Sequence, residues 1–310
     1  MYDPRAMQQP KLESRYAFLR IPCGALLLSA NTAVHVPVLL SVALMKALLP
    51  LKAARRVFNT VLMGIAASWI GFNSSMIGLL TRTRYHVEGD ANLSMQGHYL
   101  VLANHQSWVD IPVLQAVFNR RIPLLRFFLK QQLFWVPLLG LAWWALDFPF
   151  MRRYSREVLA RRPELAGRDM QATQRACEKF RDMPVAVMNF AEGTRFTAAK
   201  HAAQSSPFRQ LLRPRAGGMA FVVNAMGDAL HCMLDVTVVY PNGRPTMLDL
   251  FADRVGEVRV HIRELPIPRE LRSGDYQSDP ALRQRAQDWV NAVWAQKDEI
   301  AGRMAGKLTG

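Results

Sequence analysis

The chain has 310 residues, half of them apolar and a fifth charged, enough to bury a core in one large domain with appendages. Its 39 Lys and Arg against 24 Asp and Glu give a formal charge of +15, a balance that points to an anionic partner: nucleic acid, an anionic membrane or a phosphorylated substrate. Cys23, Cys177 and Cys232 are scattered and odd in number, so no disulfide framework or Cys-x-x-Cys metal pattern follows, which favours a reducing compartment.

From Ile21 to Leu51 the sequence is almost uninterrupted apolar, its polar members including Ser29, Asn31, His35, Ser41 and Lys46. A second apolar stretch runs from Val57 to Leu80. Each meets the roughly 20-residue requirement for a membrane-spanning helix. Arg15, Arg20, Lys52, Arg55, Arg56, Arg82 and Arg84 put positive charge before, between and after them, so a simple hairpin would carry a basic loop across the bilayer against the positive-inside tendency. That favours a helical pair embedded in one leaflet, with a spanning hairpin and a spanning first helix as the other arrangements. A cleaved signal would use Arg15 and Arg20 ahead of the run and Ala30 or Ala33 at the cut, but the apolar run continues well beyond.

From Arg84 the pattern turns globular. Tyr99–Ala103, Ile122–Leu129, Val185–Phe190 and Leu234–Tyr240 read as buried strands, and Asp169–Arg181 as an intervening helix. The fold expected is α/β, a mixed, largely parallel sheet flanked by helices and preceded by an N-terminal membrane-embedded helical pair. Residues 1–84 would be the membrane-anchoring part and residues 85–310 the α/β domain with a C-terminal amphipathic helix.

The first strand delivers Asn104, His105 and Asp110 at its carboxyl end, where ligand sites collect on open α/β sheets. If a helix starts near Asp110, its carboxylate can fold back onto one ring nitrogen of His105 and leave the other as a base. The plain alternative is a helix-capping aspartate beside an incidental histidine. The strand Val185–Phe190 ends in Ala191-Glu192-Gly193-Thr194-Arg195-Phe196. There a glycine permits a tight turn, Arg195 offers a bidentate fork and Thr194 a hydroxyl, a set suited to phosphate.

Asn104-His105-Gln106-Ser107-Trp108-Val109-Asp110 with Phe190-Ala191-Glu192-Gly193-Thr194-Arg195 resembles the paired signature of the glycerolipid acyltransferases, specifically the lysophosphatidic acid acyltransferase (1-acylglycerol-3-phosphate acyltransferase) family, over roughly Tyr85 to Pro241. Ala191 replaces the usual proline of the family's Phe-Pro-Glu-Gly-Thr-Arg. Asp147-Phe148-Pro149-Phe150-Met151-Arg152-Arg153 is similar to the second family motif with Asp147 in place of glycine, which puts Arg153, or its neighbour Arg152, at the phosphate-binding position. Lys130, ahead of Pro137 and Gly140, stands where the family often carries a lysine, and Val236–Pro241 matches the fourth motif, a hydrophobic strand ending in proline.

Between and beyond these motifs the chain is more ordinary. Arg156–Gly167 is a charged surface excursion, and Lys200–Arg213 is either a lid over the site or a plain surface loop. Arg213-Pro214-Arg215-Ala216-Gly217-Gly218 precedes an apolar helix from about Met219; Arg215 either adds a phosphate contact near its N-terminus or is a solvated arginine beside a cap. Glu257–Leu265 alternates like a half-exposed edge strand with a solvated basic face. Asp279-Pro280 caps a last helix carrying Leu282, Ala286, Trp289, Val293 and Ile300 on one face, for packing on the domain or for membrane contact. His35, His86, His98, His201, His231 and His261 have no partner at metal-ligand spacing in the sequence.

The resemblance implies acyl transfer from a fatty acyl thioester, acyl-CoA or acyl carrier protein, to the free hydroxyl of a lysophospholipid, 1-acylglycerol-3-phosphate above others. His105 would be the base and Asp110 its orienter. Arg153, Glu192, Gly193, Thr194, Arg195 and Lys130 would bind the substrate phosphate, supported by Asn104, Arg152, Arg215 and Pro241. It implies no metal, no cofactor and no nucleic acid, an anionic membrane surface as partner, and a membrane location with the site facing the cytoplasm. Three other readings remain: an acyltransferase for another lysophospholipid head group; a hydrolase using Ser107, which lacks the Gly-x-Ser-x-Gly elbow; and a non-catalytic membrane-anchored basic lipid-binding protein, for which a base with an orienter would be superfluous.

Overall fold

The computed structural model describes residues 16–49, 51–89, 91–151, 161–162, 180, 183–274, 276 and 278–306. The two apolar stretches form α1 (Ala17–Leu48) and α2 (Lys52–Leu80), both long and apolar enough to cross a membrane, with mean hydropathies of 1.7 and 1.3. Their polar interruptions bond one another. Asn31 Nδ2 donates to Asn73 Oδ1 (2.7 Å) and Trp69 O (3.1 Å), and His35 Nε2 lies 3.2 Å from Ser68 Oγ. Partners on α2 fall in number as those on α1 rise, so the helices run antiparallel. Neither is free of the domain: Val36 and Leu39 of α1 and Leu62, Ala66, Met76 and Ile77 of α2 are buried in the core that covers one face of the sheet.

After α2 come β1 (Arg84–Glu88), β2 (His98–Ala103), α3 (Asp110–Phe118), β3 (Leu125–Phe127), β4 (Leu129–Lys130), α4 (Leu139–Ala145), β5 (Phe150–Met151) and β6 (Val185–Phe190). They are followed by α5 (Ala198–Ala203), α6 (Gly217–Met226), β7 (Cys232–Val239), α7 (Met247–Phe251), β8 (Glu257–Leu265) and α8 (Pro280–Met304). Six strands form one sheet in the order β1-β8-β7-β2-β6-β3, and β4 pairs with β5 in a small parallel ribbon. Every neighbour in the large sheet is parallel except β7 with β8. β2 lies at the centre and is buried from Tyr99 onward, the apolar signature of a strand covered on both faces. Because β6, β2 and β7 run side by side in one direction, Phe190, Ala103 and Val239 end on a common edge.

The structure departs from the sequence expectations at several points. The strand expected over Ile122–Leu129 is shorter, Leu125–Phe127, with the chain starting again as β4; Pro123 has no N–H to give a ladder. β8 is not an edge strand, since β1 pairs along it in parallel and takes the edge. Its two arginines are engaged: Arg263 pairs with Asp235 at 2.6 Å, and Arg259 with Glu257 and the carbonyl of Met304. α8 starts where expected, with Asp279 Oδ1 accepting from Ala281 N (2.8 Å) and Leu282 N (3.1 Å). Its face of Leu282, Ala286, Val290, Val293 and Ile300 is buried, so it packs on the domain rather than on a membrane. The helix expected at Asp169–Arg181 and the excursion Arg156–Gly167 lie largely outside the described residues.

Asp253, 3 % exposed, fastens the helical pair to the sheet. It accepts from Arg20 at 2.6 Å and from Arg82 at 2.6 Å (backbone) and 2.9 Å (side chain). Burial raises its carboxyl, but the Arg82 hydrogen bonds and the two arginine charges outweigh that and hold it below the usual range. A carboxyl depressed on folding contributes stability above its unfolded value and loses it as pH falls through the folded one. Asp253→Asn is therefore expected to cost about 2 kcal/mol at neutral pH. The difference from wild type should shrink below about pH 4; urea denaturation across the pH range measures both.

Candidate active site

The site forms where β2, β6 and β7 end. Asn104 comes first after β2, fully buried, and clamps β2 to β7: Nδ2 donates to Val238 O (2.9 Å) and Oδ1 accepts from Val238 N (2.8 Å). His105 follows, with Nδ1 2.8 Å from Asp110 Oδ2. Asp110 opens α3 and has no exposed surface. Its Oδ2 also accepts from the amides of Gln106 (2.7 Å) and Ser107 (2.9 Å), and its Oδ1 from the Tyr240 hydroxyl (2.7 Å). Burial and the Asp110 charge hold the Tyr240 phenol well above its ordinary value, so it remains a donor. With Nδ1 committed to the carboxylate, Nε2 is the ring nitrogen left for substrate. Phe190, the last residue of β6, lies flat against the imidazole at a centroid distance of 3.9 Å and 13° between planes.

Ser107 is a structural residue. It is buried, its hydroxyl donates to Pro245 O at 2.5 Å and accepts from Val109 N at 3.0 Å, which leaves no nucleophile for the hydrolase reading.

The second motif loop is tied to the first, since Phe196 N donates to His105 O at 2.8 Å. Its turn depends on Gly193, which takes φ +66° while its amide donates to Phe190 O at 2.9 Å; side chains other than glycine adopt that region at a cost. Arg195 is exposed and lies over the Trp108 ring at 4.7 Å. Lys200 Nζ donates to Thr194 Oγ1 (2.6 Å) and to Arg195 O (3.1 Å). Arg215 is also exposed, with its Cδ 3.8 Å from where a Cβ on Gly193 would sit and its amide donating to Ala191 O at 2.8 Å. Lys200, which opens the segment read as lid or loop, thus joins Arg195 and Arg215 in a cationic rim around Gly193 and Thr194.

Glu192 is placed differently from a phosphate contact. It is 0 % exposed and turned into the protein. Burial pushes its carboxyl well above the usual range, opposed by the amides of Leu212 and His105 and by the charge of Lys297, with Asp110 pushing the same way as burial. Its carboxyl lies beside the amides of His105, in the first motif, and of Leu212. Lys130 is exposed on β4, opposite Met151 of β5, so the chain leads from that pair directly to Arg152 and Arg153, which lie outside the described residues. Asp147 has φ +59°, a left-handed conformation natural to glycine and tolerated by Asp. Pro241 follows Tyr240 at the end of β7.

Several residues around the site escaped the sequence reading. Gln106 accepts from Arg244, whose guanidinium lies 3.6 Å over the Phe196 ring. Lys297 of α8 is 0 % exposed and reaches under the sheet, donating to Val236 O (2.5 Å) and pairing with Asp235 Oδ1 (2.6 Å), whose other oxygen takes Arg263 (2.6 Å). Burial lowers the Lys297 pKa, against the pull of Asp235. A lysine in step with the apolar stripe Ala286, Val290, Val293 and Ile300 was the available signal. His231 also departs from expectation: its ring nitrogen, Cys232 Sγ and a Glu264 oxygen lie within 4.8 Å of one another at the opposite edge of the sheet. There burial and Glu264 push the Cys232 thiol up to about 12.

A mixed, largely parallel α/β sheet thus brings a histidine held by a buried carboxylate and a cationic rim together at its carboxyl edge. The sequence profile of the Acyltransferase family matches residues 84–241, about half of the chain, and the chain belongs to that family. Among similar proteins, 1-acyl-sn-glycerol-3-phosphate acyltransferase gamma of Pongo abelii is 24 % identical over 182 residues, 55 % of this chain and 43 % of its own length. 1-acyl-sn-glycerol-3-phosphate acyltransferase 2 of Arabidopsis thaliana is 29 % identical over 180 residues, 54 % and 43 % of the two chains. The match thus spans about half the length of these relatives. The crystal structure of the 1-acyl-sn-glycerophosphate (LPA) acyltransferase PlsC from Thermotoga maritima shares the fold, with a TM-score of 0.53 and 17 % identity, over 91 % of this chain and 98 % of that one.

Lys297→Met would leave Asp235 buried with half its cation pairing. The expected cost is about 3 kcal/mol, read from the midpoint of urea denaturation.

Proposed function

We propose that the chain transfers a fatty acyl group from an acyl thioester to the free hydroxyl of a lysophospholipid, 1-acylglycerol-3-phosphate to give phosphatidic acid, with acyl-CoA or acyl carrier protein as donor. The observation that carries this reading is the 2.8 Å His105–Asp110 contact, with both carboxylate oxygens held by further donors. His105 Nε2 takes the proton of the acceptor hydroxyl, and Asp110 stabilises the imidazolium that results. The oxygen attacks the thioester carbonyl to give a tetrahedral adduct. The C–S bond then breaks, the new ester stays with the glycerol, and the thiolate takes back the proton.

Arg195, with Lys200 and Arg215 beside it, supplies charge-assisted donors for the acceptor phosphate, which aligns the hydroxyl with the base and converts a two-body encounter into a positioned one. In this reading Lys130, exposed on β4, and Arg153 supply further cationic groups for the phosphate. The two apolar helices fit membrane association, the lipid acceptor reaching the site from a bilayer whose cytoplasmic side the domain faces.

The test is thiol release from oleoyl-CoA by detergent-purified protein, with and without lysophosphatidic acid. Wild type should release thiol only with acceptor, and His105→Ala should lose about 10³-fold in kcat/KM. Acceptor-independent release would indicate a thioesterase instead. Unchanged turnover in His105→Ala would refute the base assignment. For Arg195→Ala, KM for the acceptor should rise about 10- to 100-fold with a smaller change in kcat, while KM for the donor stays put.

A further inference from the structure

We propose that the segment from Gln131 to Leu146 is a second membrane-docking surface, seated beside α1 on an anionic phospholipid bilayer through Trp135, Leu138, Leu141 and Trp144. The segment carries no charged residue and is bracketed by Lys130 and Asp147. Trp135 is 79 % exposed and Trp144 63 %, with Leu138 at 44 % and Leu141 at 45 %. In water such side chains would normally be folded inward; a contiguous apolar patch left outside marks an interaction site.

The exposure is built into the backbone. α4 buries Gly140 and Ala142, which turns Leu141 and Trp144, three residues apart, to its other side. Gly140 N donates to Val136 O at 2.9 Å, and a Cβ on Gly140 would lie 1.8 Å from Phe134 O, so only glycine permits the approach. The Phe134 ring is anchored edge-on against Phe150, 5.7 Å between centroids. Leu138 takes φ +62°, a conformation leucine rarely adopts, and remains exposed.

Continuity with α1 identifies the occupant. α4 packs on α1, and Lys46 near the C-terminal end of α1 lies 3.9 Å from Asp147 at the end of the segment. The same end of α1 exposes Leu44, Met45, Leu48 and Leu49. The patch therefore extends the outer apolar face of a helix long enough to cross a bilayer. Two tryptophans at its edge match the amphipathic rings that settle at headgroup level, and the exposed Lys130 beside them, on a chain of net charge +15, favours anionic lipid. Docked there, the β4–β5 ribbon would be held next to the headgroups.

The experiment is tryptophan quenching in full-length protein reconstituted into vesicles of phosphatidylglycerol and phosphatidylethanolamine, with acyl chains brominated or not. The chain has seven tryptophans, so wild type is compared with Trp135→Phe/Trp144→Phe, a pair that preserves bulk and folding. Brominated lipid should quench a larger fraction of wild-type emission than of the double variant. Equal fractions would place both rings in water or under protein and overturn the proposal; equal fractions together with a dimer seen by cross-linking would assign the patch to a second copy of the chain.

A second arm uses Trp135→Asp/Trp144→Asp. KM for vesicle-borne lysophosphatidic acid should rise at least about tenfold, with kcat/KM for a short-chain, monomerically dissolved acceptor unchanged. Equal losses on both acceptors would deny a membrane role. Quenching needs no turnover, so failure of the acyltransferase reading and failure of this one are separable.

Discussion

The arrangement of the site hangs on one buried carboxyl group. Asp110 has no access to water, and a carboxylate in that position persists only when its lone pairs are filled by donors. Here His105, two consecutive amides and Tyr240 fill them. Each bond sets a different piece of geometry. The imidazole is oriented with Nδ1 on the carboxylate and Nε2 away from it, the Gln106–Ser107 turn is closed, and the end of β7 is drawn to the start of α3. The position at a helix N-terminus adds the favourable end of the helix dipole. Tyr240 matters as much as the histidine here, because it commits the second oxygen and prevents the carboxyl from rotating away.

The two faces of the sheet serve different ends. One is covered by α1, α2 and α3 in an apolar cluster that reaches Phe127, next to Phe190 and thus to the imidazole. The other is covered by α6 and α8 and holds a buried polar set of Asp235, Lys297 and Glu192 beneath the end of β2. Lys297 reaches the sheet from a helix outside the region that matches the family profile. Charges this deep are costly unless paired, and the pairing explains the set: Asp235 is shared by two cations, and Glu192 is pushed toward its neutral form where no cation bonds it directly.

The strands that carry the site were legible because burial on both faces leaves unbroken apolar runs, and because His105, Asp110, Gly193 and Arg195 are chemically conspicuous at strand ends. Legibility failed where the deciding partner is remote in sequence. Whether β8 is an edge depends on β1, about 170 residues earlier, pairing beside it. Glu192 reads as one more polar residue in a polar motif, yet its neighbours in space turn it inward. The left-handed backbone at Asp147 is visible only in coordinates. Lys297 lies in step with an apolar stripe, and only the fold shows that it meets an acid there.

Burial also changes what the composition says about charge. Among the described residues, the buried acids are Asp110, Glu192, Asp235, Asp249 and Asp253, while the buried bases are Arg126 and Lys297. Among these residues folding removes more negative than positive charge from contact with solvent, which adds to the cationic balance of the sequence. Part of that excess is gathered at Arg195, Lys200 and Arg215 on the rim of the site. Long-range attraction brings an anionic interface to the protein from any direction and is weakened by salt within about a Debye length, roughly 8 Å under physiological conditions. In the membrane reading proposed above, the apolar face of α1 would then select which side of the molecule meets it. Charge alone would hold the protein to a bilayer without orienting the histidine, and apolar contact alone would act only at close range.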